Sequence, residues 1–328
     1  MKPLLSICCI TYNHEKYIAD ALESFLMQET TFPYEIIVHD DASTDKTADI
    51  IKEYEKKYPN KIKPIYQKEN QFSKGKKITF ECVIPHVTGS YIAFCEGDDY
   101  WSDKNKIQKQ IEFLEIEKEF SSCFHGVEVA NTDKKPIGRY LGPVGGGSKE
   151  YAMRDNIRGG VLHISSLVIR SDTLVDRIPE WAFKSRHGDY ALAIIASANG
   201  KVYYIDEIMS VHRVGVENSV MTNLRKNYSK ANDIAYHKQR IKTLREADEF
   251  YGFKFNEDIK SVINDSETKI LLLNNEFKKL FSKRYRSYFR EKGLINIMKF
   301  ILLTKVPRFS RTFSLIKGKV FLFQNKIG

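Results

Sequence analysis

The sequence predicts a doubly wound, mixed but mostly parallel α/β sheet with a helical C-terminal extension. Three observations carry that prediction. Apolar strand-like runs alternate with helical segments four times before residue 130, the pattern of successive βαβ units. The runs Tyr34–Val38 and Tyr91–Cys95 both stop abruptly in double aspartates, HDDAS and EGDDYW. In an open α/β sheet the carboxyl ends of strands are where ligands bind. Beyond about residue 220 the chain changes to charged segments with apolar positions three and four apart, which is helical spacing.

The first run, LLSICCITYN, ends in polar Thr11, Tyr12 and Asn13. Apolar residues at helical spacing make 15–28 an amphipathic helix. After Tyr34–Val38 and its acids, Ser43 or Thr44 is placed to cap a helix running to about Tyr58. Lys61–Tyr66 reads as a third strand. Residues 67–77 form a polar, lysine-bearing loop leading into a helix that ends at His86. A charged helix, Lys104–Glu119, and a strand, Ser122–Ala130, follow the acidic turn. Residues 131–150 are rich in glycine and proline and read as a loop near the acidic ends, either a lid or a connection. Strand character resumes over Val161–Arg170. Asp189 opens an apolar helix, Tyr190–Asn199, that Gly200 stops. The strands Val202–Ile205 and Ile208–Val211 then lead to His212 and Arg213.

Length and composition place one α/β domain at 1–220 and a helical, basic region at 221–328. At 328 residues, 42% hydrophobic and 29% charged, the chain can bury a large core. No run reaches the ~18–20 apolar residues that cross a bilayer. The opening MKPLLSICCITYN runs directly into the first strand pattern without a cleavage-like site, which reads as a strand and not a signal peptide. Five cysteines lie mostly inside apolar runs without metal-ligand spacing, as expected of reduced thiols in a cytoplasmic protein. The net charge of +10 is uneven. Lys278–Gly328 holds fourteen basic residues against one acid, Glu291, which leaves −3 for the rest.

The chemistry concentrates in EGDD. Glu96, Asp98 and Asp99 lie within four residues and repel one another unless a cation sits among them, and carboxylate oxygens suit a hard divalent ion. The alternative is a solvated acidic turn. Gly97 lets the backbone turn tightly or approach a ligand closely. Neither GxGxxG nor GxxxxGK[ST] is present, which argues against a dinucleotide dehydrogenase and a P-loop enzyme. Taken alone, Asp189 is an acid at a helix N-terminus and His212 an edge histidine.

Four segments in order, SICCITYNHEKYIADALESFLMQ, EIIVHDDASTDKTADII, GSYIAFCEGDDYWSDKNKIQKQIEFLE and HGDYALAIIASANGKVYYIDEIMSVHR, resemble family 2 glycosyltransferases of the GT-A fold. The resemblance is to the bacterial type that builds capsule, O-antigen or other surface glycans, and it covers residues 4–213. It implies an inverting, Mn²⁺- or Mg²⁺-dependent transfer of one sugar from a UDP- or dTDP-linked donor to a glycan or lipid-linked glycan acceptor. On it, Ile10, Thr11 and Tyr12 lie against the nucleotide base and Asp41 accepts a hydrogen bond from the base. Glu96 faces ribose and metal, and Asp98 ligates the metal. Asp99 orients the donor sugar or the metal's water shell. Asp189 is the general base, and His212 serves the metal or diphosphate. Glu96 stands where aspartate is commoner, a glycine precedes Asp189 where relatives carry a second acid, and the QxxRW motif of processive synthases is missing. A non-catalytic sugar-nucleotide-binding or scaffold protein on the same fold is the alternative, although a scaffold would be free to lose Asp41, Asp98 and Asp189.

Two readings fit the tail. Basic residues flanking aromatic and aliphatic clusters suit a helix on an anionic membrane surface, which would place the protein at the inner face of the cell membrane. The same apolar stripes suit packing on the body or, in a homodimer, on a second copy. Nucleic acid also tolerates such charge, but nothing in the first 213 residues calls for it.

Overall fold

The computed structural model describes residues 2–159, 161–186, 188–217, 219, 222, 228–280 and 282–285. They divide between two compact units. The first takes residues up to Asn227 together with Thr243–Ile259. Its strands are β1 (Leu5–Thr11), β2 (Tyr34–Asp40), β3 (Ile62–Tyr66), β4 (Tyr91–Glu96), β5 (Tyr100–Trp101), β6 (Phe120–Ala130), β7 (Pro136–Leu141), β8 (Lys149–Tyr151), β9 (Val168–Arg170) and β10 (Lys201–Arg213). They form one sheet in the order β3-β2-β1-β4-β9-β6-β10-β5, with β7 on β6 and β8 on β10. Pairs β3/β2, β2/β1, β1/β4 and β6/β10 are parallel, whereas β9, β5, β7 and β8 run antiparallel to their neighbours.

Strands β1, β2 and β4 are buried almost throughout, as parallel strands usually are. Alternate residues Leu5, Ile7, Cys9, Ile36, Val38, Ala93 and Cys95 meet Ile18, Leu22 and Phe25 of α1 (Ile18–Leu26), and Ile107, Ile111 and Leu114 of α3 (Lys106–Ile116). Helix α2 (Thr47–Lys57) adds Ile51. Gly89 enters β4 so close to β1 that a Cβ there would stand 2.7 Å from the Leu5 carbonyl carbon. At this edge of the sheet the buried Glu35 carboxylate accepts from Ser6 Oγ and Thr88 Oγ1, both at 2.6 Å, and from Lys63 Nζ at 2.5 Å. A buried charge this well partnered locks the register.

The structure corrects several expected elements. Residues 131–150 are not a plain loop, because β7 lies within them, β8 begins in them, and glycines at positive φ (142, 145, 147) make the turns between. The two strands expected after Gly200 are one, β10, whose register on β6 shifts between Ile205 and Ser210. A bulge interrupts alternation without ending the strand. Val161–Arg170 contributes only β9, after a single 3₁₀ turn at Ile164–Ser166. The helix before His86 is a π turn, Ile78–Val83, followed by a 3₁₀ turn.

Further helices of the first unit are α4 (Met153–Ile157), α5 (Glu180–Lys184) and α6 (Gly188–Asn199), and the segment Thr243–Ile259 adds parts of the helices Lys230–Phe250 and Asn256–Leu273. The second unit takes Tyr228–Lys242 and the chain from Lys260. There Glu267 accepts from Arg284 Nη2 at 2.5 Å and Tyr285 Oη at 3.1 Å. Residues 286–328, which carry most of the expected membrane or packing stretch, lie outside the described residues. No helix among the described residues is long and apolar enough to cross a membrane.

Lys106 is an unusual core residue. It is fully buried, donates to Gln110 Oε1 at 2.8 Å, and lies 4.0 Å from the centre of the Trp101 ring. Burial holds its ammonium down to about 7. The unfolded chain therefore binds more protons than the native state between about pH 7 and the ordinary lysine value near 10.4. Wild-type stability should rise across that window. We expect Lys106→Met to change the thermal midpoint most favourably at pH 7, with its advantage over wild type shrinking towards pH 10. A scan of both proteins over that range checks the sign.

Candidate active site

The parallel strands deliver their carboxyl ends to one edge, where two turns are stitched together. After β1, Asn13 takes a left-handed φ of 56°. Its Oδ1 accepts from the Thr44 amide at 2.8 Å, and its own amide donates to Ser43 Oγ at 2.9 Å. The amides of His14 and Glu15 donate to Thr47 Oγ1 (2.8 Å) and Asp45 Oδ2 (3.1 Å). Ser43 and Thr44 thus hold the β1 turn and do not cap α2, whose N-cap Lys46 lacks a side-chain cap bond. Ser43 also donates through Oγ to Asp40 Oδ1 at 2.5 Å.

Ile10 and Thr11 end β1, and Tyr12 beyond them is 42% exposed while Thr11 is buried. Asp41 is buried, and its two carboxylate oxygens accept from the amides of Gln71 (2.7 Å) and Phe72 (3.0 Å). It fastens the 67–77 loop and keeps lone pairs for a further donor. Within that loop Lys74 pairs with Glu69, and Lys76 lies 3.8 Å from Glu81.

The acidic turn continues from β4. The Gly97 amide donates to the Ile10 carbonyl at 2.9 Å, and a Cβ on Gly97 would lie 2.9 Å from both Cβ and Oγ1 of Thr11. Only glycine fits that approach. Ligand oxygens of Glu96, Asp98 and Asp99 lie within 4.8 Å of one another, a group that could hold a cation. Asp99 is fully buried and accepts from the Arg213 amide (2.8 Å) and from His212 Nδ1 (3.1 Å to each oxygen). Burial, with the Asp98 charge behind it, pushes the Asp99 carboxyl up against these bonds. Glu96 ends β4 with its side chain reaching solvent. Poor solvation, then the charges of Asp98, Asp99 and Asp189, push its carboxyl well above the ordinary range. Burial acts to lower His212, but its bond to Asp99 and the charges of Asp99 and Asp98 carry it upward.

Sequence reasoning passed over three contributors. Arg213 donates through Nη1 to the Asp98 carbonyl at 2.7 Å, pairs with Asp20, and lies between the rings of Tyr17 and Tyr100, 5.2 and 4.6 Å from their centres. Its position beside His212 was the available signal. His14 Nε2 stands 3.9 Å from Asp98 Oδ2. His163, whose Nε2 is 3.9 Å from Asp99 Oδ2, belonged to a stretch read as strand. Asp189 lies in the first turn of α6 with an exposed side chain, and its charge reaches Glu96. The site thus brings Glu96, Asp98, Asp99 and His212 together.

The Asp41 bonds give a readout free of any catalytic assumption. Hydrogen bonds to a charged acceptor are worth ~1.5–3 kcal/mol, about a 10–100-fold change in protection if the loop opens locally. Asp41→Ala should accelerate amide exchange at Gln71 and Phe72 by that factor and leave β1 unchanged. Hydrogen exchange with mass spectrometry measures it.

Comparison with known proteins adds independent findings. The family described as Glycosyl transferase family 2 matches residues 6–171. An uncharacterized protein of Mycobacterium tuberculosis is 34% identical over 231 residues, 68% of this chain and 63% of that protein. The chain thus spans less than two thirds of that relative. WfaP of Escherichia coli, named as a UDP-Glc:alpha-D-GlcNAc-diphosphoundecaprenol beta-1,3-glucosyltransferase, is 42% identical over 121 residues, 36% of this chain and 44% of WfaP. The crystal structure of Staphylococcus aureus TarS (1–349) in complex with UDP-GlcNAc superposes with a TM-score of 0.59 at 19% identity, covering 93% of this chain and 82% of TarS. That likeness places the sheet in the GT-A class. The chain belongs to glycosyl transferase family 2.

Proposed function

We propose that this protein is an inverting, non-processive glycosyltransferase moving one sugar from a UDP- or dTDP-linked donor to a hydroxyl of a cell-surface glycan precursor. The observation that carries it is the convergence of Glu96, Asp98 and Asp99 at the end of β4, with the exposed Asp189 close enough for its charge to bear on Glu96. The names of two similar proteins support a uridine donor, and WfaP's name supports a lipid-diphosphate acceptor.

The donor set suits a divalent cation. The carboxylate oxygens of Glu96, Asp98 and Asp99 lie within 4.8 Å of one another, and burial together with like-charge crowding, which a cation would relieve, raises Glu96 and Asp99. Asp98 and His212 would hold Mn²⁺ or Mg²⁺, with Glu96 between ribose and the ion. When bound, such an ion neutralises charge developing on a diphosphate leaving group. Ile10, Thr11, Tyr12 and Asp41 form the base pocket, with Thr11 Oγ1 buried and unpartnered there. Asp189 takes the proton of the acceptor hydroxyl as it attacks the anomeric carbon from the face opposite the diphosphate, and so inverts the configuration. The basic excess of Lys278–Gly328 would hold the protein at an anionic membrane surface near a lipid-linked acceptor.

A panel of nucleotide-sugars, scored for nucleotide diphosphate released with Mn²⁺ and membrane extract, tests this reading. Asp189→Asn should lower turnover about 10²–10⁴-fold, the usual worth of a general base, while donor affinity persists. Asp98→Ala should lose both metal-dependent donor binding and turnover. Absence of binding to every nucleotide-sugar, with and without metal, would refute the proposal.

A further inference from the structure

We infer that Asp99 is a positioning residue that fixes His212 in the tautomer with a free Nε2 lone pair, and that Asp99, His163 and His212 are not a second cation site. The inference rests on the metal role proposed for His212 and reassigns Asp99 from contact with the donor sugar or the metal's water shell.

The competing arrangement has geometry in its favour, since one ligand atom each of Asp99, His163 and His212 lies within 4.8 Å of the others. The hydrogen bonds decide against it. Asp99 is 0% exposed and its oxygens accept from the Arg213 amide at 2.8 Å and from His212 Nδ1 at 3.1 Å. A carboxylate only accepts, so His212 Nδ1 carries the proton and Nε2 keeps the lone pair. The His212 side chain is 20% exposed, and its Nε2 is not one of the buried polar atoms left without a partner. His163 is committed elsewhere. Its Nδ1 accepts from the Ser165 amide at 3.3 Å, capping the 3₁₀ turn, and lies 2.9 Å from Ser165 Oγ. Ser165 Oγ is itself 3.0 Å from Ser210 Oγ on β10. An accepting Nδ1 puts the His163 proton on Nε2, the atom 3.9 Å from Asp99 Oδ2. A protonated nitrogen cannot ligate a cation. It can face a carboxylate, and the His163 ring packs 4.5 Å from that of His212.

The set therefore resolves into one outward lone pair, His212 Nε2, backed by a buried carboxylate and a neutral imidazole. A histidine ligand whose other nitrogen donates to a carboxylate is better oriented and more basic, and losing such a partner costs about 10–100-fold in metal affinity. Arg213 adds rigidity, because the same residue clamps Asp99 through its amide and the Asp98 carbonyl through its guanidinium.

Two measurements test this. The first uses the unaltered full chain without metal, at pH 9, where nitrogen-15 shifts of His212 should show a protonated Nδ1 and a bare Nε2. The opposite tautomer would overturn the inference. The second titrates Mn²⁺ in the presence of UDP by electron paramagnetic resonance. Asp99→Asn should weaken Mn²⁺ about 10–100-fold, and in a His212→Ala background the same change should add little. Independent, multiplying losses would make Asp99 a ligand in its own right and overturn the inference, as would wild-type affinity in Asp99→Asn. Failure of the wild-type protein to bind Mn²⁺ with UDP would instead count against the proposed function, and the tautomer measurement would still judge Asp99.

Discussion

Mutual repulsion among the carboxylates at the end of β4 is the constraint on which the rest of this structure depends. Glu96, Asp98 and Asp99 share one short turn, and two of them are pushed up by burial and by one another. Charges so placed survive only with partners. The fold supplies them from elements distant in sequence: the Arg213 amide and His212 from β10 for Asp99, and His14 from the β1 turn facing Asp98. For these to arrive, β10 must reach the same edge as β4, and its antiparallel pairing with β5 at Ser210–Trp101 and Val211–Tyr100 brings it there. The crossed topology of the second half of the sheet is the means of that delivery.

The opposite edge follows a different rule. Around Glu35, short bonds from Ser6, Thr88 and Lys63 satisfy a buried carboxylate within its own surroundings. Near the site, by contrast, Thr11 Oγ1 and His14 Nδ1 are buried without partners. Unmet polar groups cost free energy, and folding alone gives no reason to keep them beside a crowd of acids. One edge of the sheet is therefore built for stability, and the other holds unspent hydrogen-bonding capacity where a polar ligand would recover it.

Much of this was legible in the sequence because it rested on periodicity or on residues adjacent in the chain. Strands β1 to β4 and helices α1 to α3 announced themselves through apolar spacing, and EGDD through its own density of charge. What stayed hidden depended on partners far along the chain. Nothing in HDDAST distinguishes a serine that caps α2 from one that ties down Asn13, since both use the same hydroxyl. The bulge in β10 broke the alternation and made one strand look like two. Strands β7 and β8 gain their identity from pairing with β6 and β10, and their glycines read as loop. His163 was invisible for a similar reason: its nitrogen caps a turn whose existence the apolar flanks conceal.

Asp41 shows why residue type and position do not settle a role. An aspartate after the second strand, next to a buried edge, invites assignment to a ligand, yet both its oxygens are engaged by the Gln71 and Phe72 amides. The bonds do not exclude a ligand, because a carboxylate accepts about four. They do make the loop and any base-binding role interdependent: a donor approaching Asp41 meets an oxygen already polarised and held in place by two amides. The charge that would recognise a base is the same charge that shapes the wall beside it. Removing it would alter pocket and affinity together, so only a readout of the loop by itself can separate the two effects.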